Sequence, residues 1–209
     1  MEFSGFAELA PKVTRVARGA PDILVEENIR DAAIEFCRRT RCWRWRETIT
    51  AMTADVVLTS FVEYAQIFEL ETAWVGSGNE RALRPVGTNE FEGMAPSTGI
   101  PTVICQDRPS TFKVAPAPTD DAPAIISLSL YLEPLRDAQI MPIELIDRFG
   151  MDFVAGGLSS TLLIPGHPWS NAALGSYWQM KFNEACERNF AFNLQGQQRA
   201  PVRVAASFF

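Results

Sequence analysis

Apolar positions along the chain change period three times, and each change marks an element. After a loose stretch over residues 1–21, Val25, Ile29, Ala32, Ala33 and Phe36 recur at three- and four-residue steps, while Glu26, Glu27, Arg30, Asp31, Glu35, Arg38 and Arg39 fall between them. That spacing predicts an amphipathic helix over about 22–40. Asp22 stands where an N-cap would accept orphan amides, and the late arginines suit the negative end of the helix dipole.

From Glu47 onward the period shortens. VVLTSF, QIFELETAWV, TFKVAP and AIISLSLYLEP are short runs rich in β-branched and aromatic residues, separated by turn residues, and they predict a β-rich module. GSGN at 76–79 reads as a hairpin turn, residues 85–101 as a long surface loop, and APAPTDDAP at 115–123 as a further turn. Gly76 and Gly78 do not make a dinucleotide fingerprint, because the third glycine and the following helix are missing.

Helical spacing returns at Met141, with Pro142 suited to a first turn and Ile146, Phe149, Phe153 and Val154 forming a stripe. Gly156 and Gly157 lie inside that helix at about 1 kcal/mol each relative to alanine, so close approach of another helix or of a neighbouring subunit is expected to compensate. The helix should stop at Ile164-Pro165-Gly166. A last helix should follow, with Ser170 as N-cap and Leu174, Trp178, Phe182, Cys186 and Phe190 on one face.

These elements predict an α+β fold: a helical bundle of one N-terminal and two C-terminal helices (22–46 and 140–195), an N-terminal arm (1–21), an inserted β-rich module (47–139), and an extended C-terminal arm (196–209). That arm carries Arg199, Val202, Arg203, Val204, Phe208 and Phe209. It is apolar for a chain end, where polar residues are usual, so it either returns to its own core or docks on another subunit.

Composition narrows the function. With 209 residues, 47% hydrophobic and 21% charged, the chain is long enough for a sizeable core. A net charge of -6 argues against a surface that grips nucleic acid throughout, since phosphate contacts are made by clustered Lys and Arg. No apolar run reaches the roughly 20 residues that span a bilayer, and no secretory leader is expected. Cys37, Cys42, Cys105 and Cys186 are scattered without metal-ligand spacing, so no metal or cofactor is expected.

Catalytic patterns are correspondingly thin. His167, the one histidine, lies between two prolines, and no nucleophile elbow accompanies it; a small cytosolic hydrolase would have to use it or a carboxylate pair such as Asp120-Asp121, Asp147 with Asp152, or Glu26-Glu27. The densest signal is RRTRCWRWR at 38–46, where Arg41, Trp43, Arg44 and Trp45 lie among five arginines. Arginines interleaved with tryptophans serve three ends: closing a core at a junction, making a protein–protein hot spot, or binding nucleic acid through phosphate and stacking contacts.

Two stretches carry a resemblance: IRDAAIEFCRRTRCWRWRETI at 29–49 and GGLSSTLLIPGHPWSNAALGSYWQMKFNEACERN at 156–189. Together with TFKVAPAPTD between them, they resemble phage head-to-tail adaptor proteins over roughly residues 20–195. The resemblance implies a non-enzymatic virion protein at the head–tail junction, assembled from the host cytoplasm. It implies a ring, commonly twelvefold, beneath the portal, which would extend the DNA channel without sequence-specific binding and seat tail or nozzle proteins. Its partners would be the portal ring and neighbouring copies of itself, with no membrane. The contacts so implied fall on the arm from Arg199 to Phe209, on Gly156 and Gly157, and on Arg41, Trp43, Arg44 and Trp45.

Overall fold

The computed structural model describes residues 2–58, 62 and 64–194, with side chains through Phe190. In chain order the elements are β1 (Phe3–Gly5), a 3-10 turn (Phe6–Glu8), α1 (Ala10–Thr14), α2 (Asp22–Thr40), β2 (Arg44–Ala51), β3 (Asp55–Val57), β4 (Ala65–Val75), β5 (Arg81–Pro85), α3 (Thr88–Glu92), β6 (Val103–Arg108), β7 (Thr111–Ala115), β8 (Ala124–Pro134), β9 (Ile140–Pro142), α4 (Ile143–Leu162) and α5 (Ala172–Leu194). They form an α+β chain in two compact units. One is Trp43–Leu135; the other takes the residues on either side.

In the helical unit α2, α4 and α5 pack on one another. Phe36 of α2 is fully buried, with its ring centroid 5.1 Å from Phe149 and 5.4 Å from Phe153, both of α4, and 6.2 Å from Phe182 of α5. The stripe on α2 is therefore the one its periodicity predicts, and each aromatic pair adds about 0.5–1.5 kcal/mol beyond burial. Gly156 and Gly157 are what lets α4 come this close: a Cβ on Gly157 would lie 2.8 Å from Ile29 Cγ1 of α2. One turn on, Thr161 Oγ1 donates to the Gly157 carbonyl at 2.7 Å and accepts from Asn28 Nδ2 at 3.0 Å. β1 and β9 pair antiparallel, Phe3 opposite Pro142, and Ile143 N donates to the Glu2 carbonyl at 3.0 Å.

Local starts and stops differ from the sequence pattern at four places. Asp22 is the first helical residue of α2 and makes no side-chain capping bond; Pro21 holds the cap position. Met141 and Pro142 belong to β9, because their backbone pairs with β1, and α4 begins one residue later. Helix α4 ends at Leu162, ahead of Ile164. Asn171, not Ser170, caps α5: its Oδ1 accepts from Leu174 N at 3.0 Å, while Ser170 Oγ is held by the Ile164 carbonyl and the His167 amide.

The other unit is a seven-stranded sheet in the order β2-β8-β4-β5-β6-β7-β3, antiparallel except for β5 beside β6. β8 is its spine: Ile126, Leu128, Leu130 and Leu132 are buried on one face, and Ser129, Tyr131 and Glu133 on the other. β2 pairs with β8 along its whole length, from Arg44 opposite Tyr131 to Ala51 opposite Ala124. β2 and β3 are consecutive in the chain, yet they occupy opposite edges of the sheet. The step from Ala51 to Asp55 spans at most ~15 Å, whereas seven flat strands would separate the edges by ~29 Å. The sheet must curl until its edges approach.

The turn at 76–79 joins β4 to β5, with Asn79 N donating to Gly76 O at 3.2 Å, as the sequence indicates. Residues 85–101 are not wholly loop. They include α3, and their later part, with Lys113, Val114 and Ala117, borders an apolar groove of about 590 Å³.

Candidate functional site

Taken residue by residue, the arginine and tryptophan run does not make one basic strip. Arg38 is exposed at the end of α2. Arg39 donates to Glu35 Oε1 at 3.0 Å and to Asn183 Oδ1 at 2.7 Å, and lies over the Phe182 ring. Arg41 takes a left-handed backbone, φ 53°, as the residue that ends the helix, and its guanidinium stands 5.4 Å from the Phe190 ring centre. Trp43 is 4% exposed; its carbonyl accepts from Leu132 N at 2.8 Å, and its Nε1–H finds no acceptor among the described residues. Its indole is therefore not part of the surface of the run.

Arg44 begins β2 and enters a polar cluster on the sheet. Its guanidinium donates to Glu71 Oε1 at 2.6 Å and to the Tyr131 hydroxyl at 3.1 Å, while Tyr131 donates to Glu71 Oε1 at 2.7 Å and Ser129 Oγ to Glu71 Oε2 at 2.6 Å. Burial by itself lowers the Arg44 pKa, but the Tyr131 and Glu71 contacts outweigh it and hold the guanidinium above its ordinary value. Burial is also the main reason the Tyr131 phenol is raised. Glu71 can accept all three donors because β4 shifts register between Leu70 and Thr72, and a bulge there re-aims the side chain. Beside this cluster, Gln66 Nε2 donates to the buried Glu133 at 2.6 Å.

Trp45 is half-buried, with Nε1 donating to Glu47 Oε2 at 3.1 Å, and Arg46 is exposed. Sequence reasoning missed Glu71, Ser129, Tyr131, Gln66 and Glu133 as a group. The only signal was the polar–apolar alternation of SLSLYLE in β8, which does not reveal what covers the polar face.

Gly156 and Gly157 are buried against α2 and α5 of their own chain. This accounts for both glycines by helix packing, the intramolecular alternative of the two expected for them. Residues Arg199, Val202, Arg203, Val204, Phe208 and Phe209 lie outside the described residues. His167 is exposed and stacks on Trp169, ring centroids 4.4 Å apart and 7° from parallel. Asp152 lies 3.7 Å from Arg188, and Asp120 and Asp121 occupy a turn. Among the described residues no group of three or more His, Cys, Asp or Glu could hold a metal ion, and no helix is long and apolar enough to cross a membrane. All four cysteines are buried, and none of them is in a disulfide.

What the arrangement offers, then, is a buried tryptophan and charge-satisfied arginines at the passage from helix to sheet, with Arg46 and half of Trp45 at the surface. A search of curated proteins finds no match to this chain. The family model described as SU10 adaptor protein matches residues 5–205, through both units and into the arm. On that match, spanning nearly the full sequence, the chain belongs to the SU10 adaptor protein family, a family of phage adaptor proteins.

Proposed function

We propose that this protein is a subunit of a ring, commonly twelvefold, that docks beneath the portal at the head–tail junction. There it extends the DNA channel and seats tail or nozzle proteins. The observation that carries this reading is the family match over residues 5–205, which takes in helices, sheet and arm together. The arm from Arg199 to Phe209 reaches the portal in this reading, and Trp45 and Arg46 on the edge strand β2 face a neighbouring copy. Apolar side chains left at the surface of the helical unit, Ile23 at 74% exposure and Met151 at 60%, are further candidates for burial in an assembly. The net charge of -6 suits a lumen through which DNA slides without adhering.

A nucleic-acid grip by residues 38–46 has less behind it, since Arg39 is bound to Glu35 and Asn183, and Arg44 to Glu71 and Tyr131. The test is the mass, by light scattering or native mass spectrometry, of the protein mixed with the purified portal ring of its source phage. A discrete complex with about one copy per portal subunit is expected. A folded protein that leaves the portal unbound would overturn the proposal.

A further inference from the structure

Cys37 and Cys42 meet at the end of α2. Arg41 adopts the left-handed conformation and its amide donates to the Cys37 carbonyl at 2.8 Å, which stops the helix. In a cap of this kind the residue after the left-handed one folds back over the last helical turn, usually as a hydrophobic contact. Here both members of that contact are cysteines, with Sγ atoms 3.7 Å apart and side chains 0% and 5% exposed. Two alkyl groups would serve packing equally well. Two thiols at this distance can also react: a disulfide needs ~2.05 Å, so closure requires less than ~2 Å of approach.

The surroundings favour the reactive form at one of the two sulfurs. Burial works to raise the Cys42 thiol, but hydrogen bonds with Cys37 and Thr40 and the charge of Arg148 outweigh it and hold Cys42 below the ordinary cysteine range. The thiolate is the form that attacks. Elsewhere in the chain burial pushes the Cys186 thiol up to about 12, and Cys105 lies in the sheet with Thr88 Oγ1 3.9 Å away. Cys105 has no second sulfur among its described contacts, and Cys42 acts on Cys186 only as one of several charges, so the pair of sulfurs in hydrogen-bond contact is Cys37 and Cys42.

We propose that Cys37 and Cys42 form a modification site: a dithiol that a small hydroperoxide closes into an intrachain disulfide, locking the cap of α2 where the chain leaves for the sheet. The Cys42 thiolate attacks one peroxide oxygen, the O–O bond breaks, and the departing hydroxide takes a proton to become water, leaving Cys42 as a sulfenic acid. The Cys37 sulfur then attacks the Cys42 sulfur, the S–S bond forms as the S–O bond breaks, and a second water leaves. Two thiols thereby lose two electrons and two protons, and one peroxide becomes two waters. The reverse reaction needs a thiol reductant, such as the one the bacterial cytosol supplies; a particle released from the cell meets none.

The test uses the full-length folded protein alone, so it does not depend on the ring or the portal. Hydrogen peroxide is added, the protein is denatured, free thiols are capped with N-ethylmaleimide, and the intact mass and the non-reduced tryptic map are read. Three arginines, Arg38, Arg39 and Arg41, separate the two cysteines. Trypsin therefore places Cys37 and Cys42 on different peptides, which stay joined only through the disulfide. Expected are two capped thiols out of four, and one linked peptide pair that separates on reduction. Four capped thiols, a linkage through Cys105 or Cys186, or oxidation of single cysteines to sulfinic acid with no linked pair would each overturn the proposal. Cys105→Ser should leave the linked pair unchanged, and its loss in that variant would also count against the site.

Discussion

The Cβ of Ala32 occupies the place that a side chain on Gly156 would need: a Cβ at residue 156 would lie 2.5 Å from it and 3.0 Å from the Phe182 ring. Helices α2, α4 and α5 converge on that one point. Gly156→Ala should therefore destabilise the protein by up to about 2 kcal/mol, since overpacking costs about 1–3 kcal/mol and alanine returns roughly 1 kcal/mol of helix propensity. Denaturant unfolding measures it, with Gly78→Ala as the control, because a Cβ at residue 78 meets nothing within 4 Å. Equal midpoints for the two variants would show that α4 can shift to make room.

Glu71 holds Arg44, Tyr131 and Ser129 at once, and its side chain is 24% exposed. Glu71→Ala leaves these donors without their acceptor and should cost about 2–3 kcal/mol. The pair Arg84–Glu90 has side chains 61% and 51% exposed, so Glu90→Ala should change stability by no more than about 0.5 kcal/mol. Thermal melts of the two variants side by side settle the contrast.

At the head of α5 the two candidate caps can be separated. Asn171→Ala removes the acceptor of the Leu174 amide and should lower stability by about 1 kcal/mol. Backbone amide exchange at Leu174 should rise in that variant, and unchanged exchange there would refute the assignment.

Asp152 gives a pH dependence of definite sign. Burial raises its carboxyl above the ordinary value of 3.8, and Arg188 offsets this only in part. A carboxyl whose pKa is higher in the folded than in the unfolded chain stabilises the fold below the unfolded value, and that contribution is lost as pH rises through the folded value. Asp152→Asn should accordingly melt higher than the parent at neutral pH, with the two converging as pH falls below 3.8. A constant difference across that range would locate the effect in packing instead of ionisation.

Removal of residues 199–209 should leave a folded protein that no longer joins the portal ring in the mixing experiment. Full docking by the truncated chain would remove Phe208 and Phe209 from the portal contact.

Much of this architecture can be read from periodicity, and what escapes has a common cause. α2 is legible because Val25, Ile29, Ala33 and Phe36 repeat with the helical period and all are fully buried. The last helix is legible through Phe182 and Cys186 for the same reason. β6 escapes because VICQDR carries too few alternating positions, and its pairing with β5, Arg84 beside Val103, joins segments across the loop. β1 and β9 escape because each is three residues long and becomes a strand only by meeting the other. The candidate site divides the same way: the run at 38–46 stands out in one dimension, but that Arg44 belongs with Glu71 and Tyr131 follows from a register shift in β4 that no local pattern encodes. Likewise Cys37 and Cys42 become a pair only once Arg41 turns left-handed.

The sheet unit starts at Trp43 and ends at Leu135, and those ends are neighbours, since the Trp43 carbonyl accepts from Leu132 on the adjacent strand. A segment that enters and leaves through one doorway is a cassette. Changes of length between those ends leave the two connections side by side, and the flanking residues have an aromatic core of their own in Phe36, Phe149, Phe153 and Phe182.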